Sequence, residues 1–448
     1  QSTLSDNAIN IDSTFSHTGN KCLQFIGSKT TDALSKSSIN KQKMAFWDGE
    51  VVSVDFWLYL VGKDSLDWLF LFDIEEKKQV SVIEEAEEKI QLPEEYLERF
   101  TLYPIQNKEF LKNREEEFKS LEKAYENWKI VKSPLLVVDE PGEGGTSLLH
   151  ASTYIYPNAK ILETNQSIDS YKKLIGLLTN VLRISEEFKN LKDLEKFINA
   201  SLEDEVIILE NIERLFIRRI KGFDLLEDFL LFLHATKNKI YWIISINKYS
   251  FYYLNRVKFF ASHFPSIIHL EPISKKQLKV EILDRNQGYQ MVYLKPNKIS
   301  KKIEKQLKKA STEERQNILE NLFFKNMSAF AKGNISKAIL YARNSAYNVK
   351  LKTVFIKPIH IKRVDDLSLN ELFILEAIFQ HRSLSIKELN IVLRNSDRQS
   401  RLSIEKLLER ELIRPTSTVN GKTQYRVNLM YLDILKDLLR ERLNRKFR

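Results

Sequence analysis

The chain of 448 residues predicts an α/β protein: a parallel sheet covered by helices, then a helical lid and a C-terminal winged helix, behind a small β-rich segment. Three observations predict it. From Ser133 onward, short apolar runs alternate with amphipathic stretches of helical period, the pattern of a parallel sheet covered on both faces. The first of those runs opens into a glycine-bearing turn and then a helix. Near the C-terminus, three helical stretches precede two short strands joined at Asn420-Gly421, the signature of a winged helix.

Composition sets the bounds. At roughly 100 to 200 residues per domain the chain holds two to four domains. With 43% hydrophobic and 29% charged residues, wholesale disorder and collagen-like architecture are excluded. The single cysteine, Cys22, has no partner for an internal disulfide and cannot build a cysteine-based zinc site. It suits a reducing compartment, and the expected location is the cytoplasm. The most apolar stretches, Val54–Phe72 and Phe229–Ile246, are interrupted by Lys63, Asp64 and Asp67 and by Lys237, Asn238 and Lys239, so neither reads as a membrane span. The chain begins at Gln1 and is read as trimmed or processed; a membrane tie through segments outside it stays open. Charge is uneven: residues 1–272 carry 33 basic and 42 acidic residues, net −9, and residues 273–448 carry 37 and 18, net +19. A basic half favours polyanions, and a lysine-rich solvated surface is the alternative.

Five regions follow in order. Residues 1–80 read as β-structure, with Cys22–Ile26 and Val51–Leu60 rich in β-branched and aromatic residues; the segment loosely resembles the opening strands of jelly-roll sandwiches but is too short for a whole one. Residues 81–132 read as a charged helical linker, from Glu84, Glu85, Glu87 and Glu88 to the run beginning at Glu115. Residues 133–272 form the α/β core, with strands at Leu135–Val138, Lys160–Glu163, Val206–Leu209, Tyr241–Ile246 and Ile267–Leu270. Residues 273–356 are lysine-rich and predict a small α-helical lid; residues 357–448 predict the winged helix, with helices at Asn370–Gln380, Ser385–Leu393 and Gln399–Arg410.

The turn after the first core strand reads Asp139-Glu-Pro-Gly-Glu-Gly-Gly-Thr-Ser-Leu-Leu-His150. A phosphate loop needs glycines for backbone N–H groups that converge on phosphate, a lysine against the β/γ oxygens and a hydroxyl on magnesium. Gly142, Gly144, Gly145, Thr146 and Ser147 are the candidate nucleotide-binding residues. Aligned on Gly144 and Thr146, however, Asp139 stands at the first glycine and Gly145 at the lysine. Asp139, Glu140 and Glu143 add like charge where a triphosphate would sit, and a strand-to-helix turn without ligand is the alternative reading. Lys132, Lys160 or another subunit are the possible sources of compensating charge.

The strand Val206–Leu209 ends in Glu210-Asn211, in the place of a Walker B acidic pair. Glu210 and Thr146 are the candidate magnesium ligands, whereas Asn211 cannot serve as a general base. Asn247 closes the strand from Tyr241 where a first sensor would stand, and Lys337, in Lys332-Gly-Asn-Ile-Ser-Lys-Ala338, stands where a second sensor would. These four motifs, in this order and followed by a lid and a winged helix, resemble the AAA+ and STAND P-loop ATPases, particularly the origin-initiator branch. The resemblance covers residues 133–448 and implies nucleotide-gated assembly, lid motion and partner or DNA remodelling. Departures at Gly145 and Asn211 point to a degenerate member with weak or absent binding of ATP or ADP with magnesium, and no catalytic residue is assigned. Arg214, Arg218 and Arg219 are candidates for a trans-acting arginine or a solvated helix end.

Should the winged helix bind DNA, Arg398, Arg401 and Lys406 on its third helix and Lys422 and Arg426 on its wing are the candidate contacts, with Arg410 beside them. Glu405, Glu409 and Glu411 interleave with these bases and favour a protein partner instead. The histidines show no metal-ligand spacing and there is no Gly-x-Ser-x-Gly elbow, which disfavours zinc and serine hydrolases. Three readings follow: a degenerate switch or scaffold that meets a protein partner or its own copies, a working ATPase that remodels DNA or protein, and a DNA-binding module on a structural core. No small-molecule substrate is evident.

Overall fold

The computed structural model describes six strands within residues 1–73 and residues 92–443 apart from 106–110, 112, 157, 165–166, 298, 351, 362–363, 365 and 420–421. The chain divides into two compact units, Gln1–Lys89 and Ile90–Arg448. In the first, β1 (Ile9–Asp12) pairs antiparallel with β2 (Cys22–Phe25), β3 (Met44–Phe46) with β4 (Glu50–Val52), and β5 (Asp55–Leu60) with β6 (Trp68–Asp73). The expected acidic helix at Glu84–Glu88 lies outside the described residues.

The second unit opens with α1 (Glu94–Glu98) and α2 (Glu115–Val131) and then builds a five-stranded parallel sheet. Its elements are β7 (Leu135–Asp139), α3 (Gly145–Ala151), β8 (Lys160–Leu162), α4 (Tyr171–Leu182), α5 (Leu191–Ser201), β9 (Glu205–Leu209), α6 (Asp224–Thr236), β10 (Ile240–Asn247), α7 (Lys248–Lys258) and β11 (Ser266–His269). The strand order is β11-β7-β10-β9-β8, so β10 lies between the strand that feeds the loop and the strand that ends beside Glu210. Alternate side chains serve opposite faces, as a period of two requires. Leu136, Val138, Ile207, Leu209, Trp242 and Ile244 pack toward α4, α5 and α6. Leu135, Val137, Val206, Ile208, Tyr241 and Ile243 pack toward α2 and α3.

Helix α2 is therefore part of the core rather than only the charged helical linker expected for 81–132. Its charged residues hide a stripe of Phe118, Leu121, Ala124 and Trp128, and the Trp128 ring lies 5.2 Å from that of Tyr241. Likewise α1 belongs with the lid: Tyr96 and Phe100 are buried among Leu278, Ile282 and Phe323, and the Tyr96 hydroxyl donates to Asn286 Oδ1 at 3.0 Å.

The lid comprises α8 (Lys275–Arg285), β12 (Gln290–Tyr293), α9 (Lys301–Lys309), α10 (Thr312–Ala331), α11 (Ile335–Ser345), β13 (Ala346–Lys350) and β14 (Thr353–Ile356). It is not purely helical as expected, since β12, β14 and β13 form a three-stranded sheet under its helices. The winged helix contains α12 (Leu369–His381), β15 (Leu384–Ser385), α13 (Ile386–Leu393), α14 (Asp397–Glu409), β16 (Ile413–Val419), β17 (Lys422–Val427) and α15 (Leu432–Leu443), with sheet order β15-β17-β16. Ser368, Ser385 and Ser396 start its first three helices, each in a reciprocal capping box with Glu371, Glu388 and Gln399.

Leu121 is 0% exposed, so Leu121→Ala should lower the unfolding free energy of the second unit by about 2 to 5 kcal/mol in denaturant titration. A helix that merely linked domains would tolerate the change within about 0.5 kcal/mol.

Candidate functional site

The site is built where β7, β9 and β10 end. Strand register places Asn247 beside Asp139 and Ile244 beside Leu209. After Asp139 the loop turns on two glycines with positive φ, Gly142 (+92°) and Gly144 (+98°), and α3 begins at Gly145. A Cβ on Gly145 would stand 2.4 Å from Asp139 Oδ2, because the Asp139 carboxylate folds over the loop against Gly145. Glu143 Oε2 accepts the Glu140 N–H at 2.7 Å. The loop thus satisfies one of its amides with its own acid and packs a second acid against Gly145.

Burial raises these carboxyl groups. Asp139 is pushed up to about 7, first by burial and then by Glu213 and Glu210, against the pull of Arg382. Glu143 is likewise raised to about 7 by burial. Glu210 reaches about 7 through burial, with Glu163 and Glu213 adding to the rise and Arg382 opposing it. His150 on α3 puts Nε2 3.1 Å from Glu210 Oε1 and 3.6 Å from Glu163 Oε1. Among the described residues, no group of three His, Cys, Asp or Glu is placed to hold a metal ion.

The other expected residues are placed but otherwise engaged. Asn247 is the N-cap of α7: its Oδ1 accepts from Tyr249 and Ser250, and its Nδ2 donates to Ser250 Oγ at 2.6 Å and Glu213 Oε1 at 3.3 Å. That amide is not free to orient a water. Ser147 Oγ accepts the Ile105 N–H at 3.0 Å. Asn211 takes a left-handed turn, φ +60°, and donates its N–H to Ser245 Oγ at 3.0 Å.

The lid rests directly on the loop. Ser336 N–H donates to Gly142 O at 3.0 Å and Asn334 Nδ2 to Pro141 O at 3.0 Å. A Cβ on Gly142 would meet Asn334 Oδ1 at 2.8 Å and Leu429, of the winged helix, at 3.2 Å. The cavity left between loop, lid and residues 101–105 measures about 70 Å³. Ligand pockets run to about 300–1,000 Å³. Lys337 is buried, lies 5.0 Å over the Phe330 ring and pairs with Asp433 on α15. Burial pulls its pKa down although Asp433 opposes the shift.

Neither proposed compensating lysine reaches the loop. Lys160 pairs with Glu205 at 2.8 Å, and Lys132 with Asp204 at 3.2 Å. Arg214 is buried and donates to Ser383 O at 2.9 Å and Ser383 Oγ at 2.6 Å, so it ties the core to the winged helix of its own chain and is no solvated end. Arg218 donates to Gln380 Oε1 at 2.9 Å. Arg219 is exposed, and together with Arg218 and Arg394 it lines a surface groove of about 380 Å³.

Sequence reasoning missed Arg382. At the end of α12 its NH1 stands 3.9 Å from Glu213 Oε1. It also missed Lys436 on α15, whose Nζ lies 2.7 Å from Glu140 Oε1. On α14, Arg398, Arg401 and Lys406 are exposed, as are Glu405 and Glu409. Arg401 is held by Asp397 at 2.6 Å, and Leu402 beside it is 50% exposed. Arg426 is exposed on β17, where Lys422 opens the strand.

A carboxyl group whose folded pKa lies above its unfolded value, near 4, binds its proton more tightly when folded. Its stabilising contribution is complete below about pH 4 and is lost as pH rises through 7. The melting temperature should therefore fall between pH 5 and pH 8, and Asp139→Asn should flatten that slope, as differential scanning fluorimetry across the range would read.

No family model matches the chain, and no curated protein matches it. Among solved structures it is similar to the ORC2 protein of Aeropyrum pernix in ADPNP–ADP complexes, at 12% identity over 78% of this chain and 98% of that one, TM-score 0.35. It is similar to Cdc6p from Pyrobaculum aerophilum at 17% identity over 77% and 98%, TM-score 0.34. It is also similar to Drosophila ORC bound to DNA at 13% identity over 82% and 95%, TM-score 0.40. The chain itself shows a parallel α/β sheet in the order β11-β7-β10-β9-β8, followed by the lid and the winged helix.

Proposed function

We propose that the chain is a degenerate AAA+-type protein that works as a regulatory or scaffolding switch within a larger assembly. One observation carries this reading. The Asp139 carboxylate lies against Gly145, 2.4 Å from where a Cβ would stand, and fills the room beside the position where a phosphate-binding lysine would start. A magnesium triphosphate would have to displace that carboxylate, bring its own negative charge among Asp139, Glu143 and Glu210, and lift Asn334 and Ser336 from the loop. Gly142, Gly144, Gly145, Thr146 and Ser147 retain the backbone outline of a nucleotide site, and Thr146 and Glu210 the place of magnesium. With Asn247 and Lys337 bonded elsewhere, the set does not fit the cofactor. The partner surface in this reading is a protein one, offered by the mixed-charge α14 with Leu402 at its centre.

Isothermal titration with magnesium-ATP tests it: the expectation is no saturable heat below about 1 mM, a standard free energy weaker than about −4 kcal/mol. Micromolar affinity with turnover would favour the working-ATPase reading instead. Gly145→Lys alone should gain nothing, since its Cβ meets Asp139, whereas Asp139→Gly with Gly145→Lys should tighten binding by at least about tenfold.

Exposure of Arg398 and Lys406 favours a second reading, DNA binding through α14. That reading expects salt-dependent duplex binding that Arg398→Glu with Arg401→Glu abolishes, measured by fluorescence anisotropy at low salt. Absence of binding at low salt would leave the protein-partner reading alone.

A further inference from the structure

The loop after β7 lacks a cation of its own, and two arrive from the winged helix. Lys436 lies 2.7 Å from Glu140 Oε1 and 2.8 Å from Asp433 Oδ1, and the Tyr249 hydroxyl donates to the same Glu140 oxygen. Arg382 stands 3.9 Å from Glu213, and its charge is the strongest positive one acting on Asp139 and Glu210.

Its backbone is unusual for a residue with a side chain. Arg382 has φ +65° and ψ −47°, and the Ser383 N–H donates to the His381 carbonyl at 2.7 Å, which makes it the centre of a γ-turn. Such turns are rare and strained, and persist where the surroundings over-determine them. Here the core supplies the ties: Arg214 to both oxygens of Ser383, Arg218 to the Gln380 side chain and Ser250 Oγ to the Gln380 carbonyl at 2.5 Å.

We propose that the acidic loop is a docking site for cations and that its ligand is the chain's own winged helix, Arg382 and Lys436 supplying the charge a phosphate-loop lysine would otherwise bring. Loop occupancy and winged-helix position are then one equilibrium. Arg382 faces the acids Asp139, Glu210 and Glu213, with Arg214 and Arg426 as like charges. Lys436 faces Glu140 and Asp433, with Lys337 as its like charge. The lid joins the same network, since Lys337 and Lys436 share Asp433. Withdrawing the winged helix would leave buried carboxylates without counter-charge, which is the costly state.

This inference rests on the reading of the loop as filled by its own acids. Hydrogen–deuterium exchange of the full chain, without nucleotide at pH 8, tests it separately. Arg382→Gln and Lys436→Gln should each speed exchange in 139–147 and in the winged-helix segments 380–385 and 432–443 together, by at least about threefold. In an Asp139→Asn background the effect of Arg382→Gln should shrink, and in a Glu140→Gln background so should that of Lys436→Gln. Lys436→Arg should restore protection. If Arg382→Gln does not fold, the Lys436 and Glu140 cycle decides the matter by itself. Unchanged exchange in 139–147, or effects that simply add, would overturn the docking while leaving the loop reading intact; magnesium-ATP binding would overturn that reading without altering the exchange result.

Discussion

The close packing of the Asp139 carboxylate against Gly145 is the contact on which the site turns. It explains why residue 145 has no side chain, since a Cβ there would stand 2.4 Å from the carboxylate. With no side chain, residue 145 brings no cation to the loop, and the acid packed there would add like charge to a phosphate. A charge-bearing acid buried at the end of a central strand must then be neutralised by a proton or by a partner from elsewhere. Both occur here: the pKa is raised to about 7, and Arg382 lies close enough to oppose the rise.

That requirement shapes the surrounding domains. The lid lies on the loop through backbone contacts at Pro141 and Gly142, and the winged helix brings Lys436 to Glu140. Residues that would serve as sensors in a working site are used as structural ties. Asn247 caps α7 and holds Glu213, and Lys337 holds Asp433. The same positions therefore keep their places in the fold while their side chains serve a different end.

Much of this fold is legible in the sequence because its signals are local and periodic. Runs such as Leu135–Val138 and Val206–Leu209 are apolar without a break, as strands buried on both faces must be, and the structure places them in the central sheet. The winged helix is marked by three serine-capped helices and a two-strand return. Helix α2 reads as a charged helical linker because charge outnumbers its apolar stripe of Phe118, Leu121, Ala124 and Trp128, although their spacing is there to be counted. The lid strands Gln290–Tyr293 and Thr353–Ile356 are four residues each and far apart in sequence, too short for alternation to stand out. Within the site, the glycine at 145 and the acid at 139 can be read from spacing, but their contact cannot. Nothing in the sequence around Arg382 or Lys436 marks them as neighbours of the loop, because the pairing is made by tertiary approach between residues as distant as Glu140 and Lys436; a γ-turn on an arginine has no sequence signature.

The most direct measurement is an experimental structure determined with saturating magnesium-ATP. The account predicts the Asp139 carboxylate packed against Gly145, Lys436 on Glu140 and no triphosphate in the loop. A well-ordered triphosphate with its metal seated against Gly144 and Thr146, and Asp139 turned away, would contradict it.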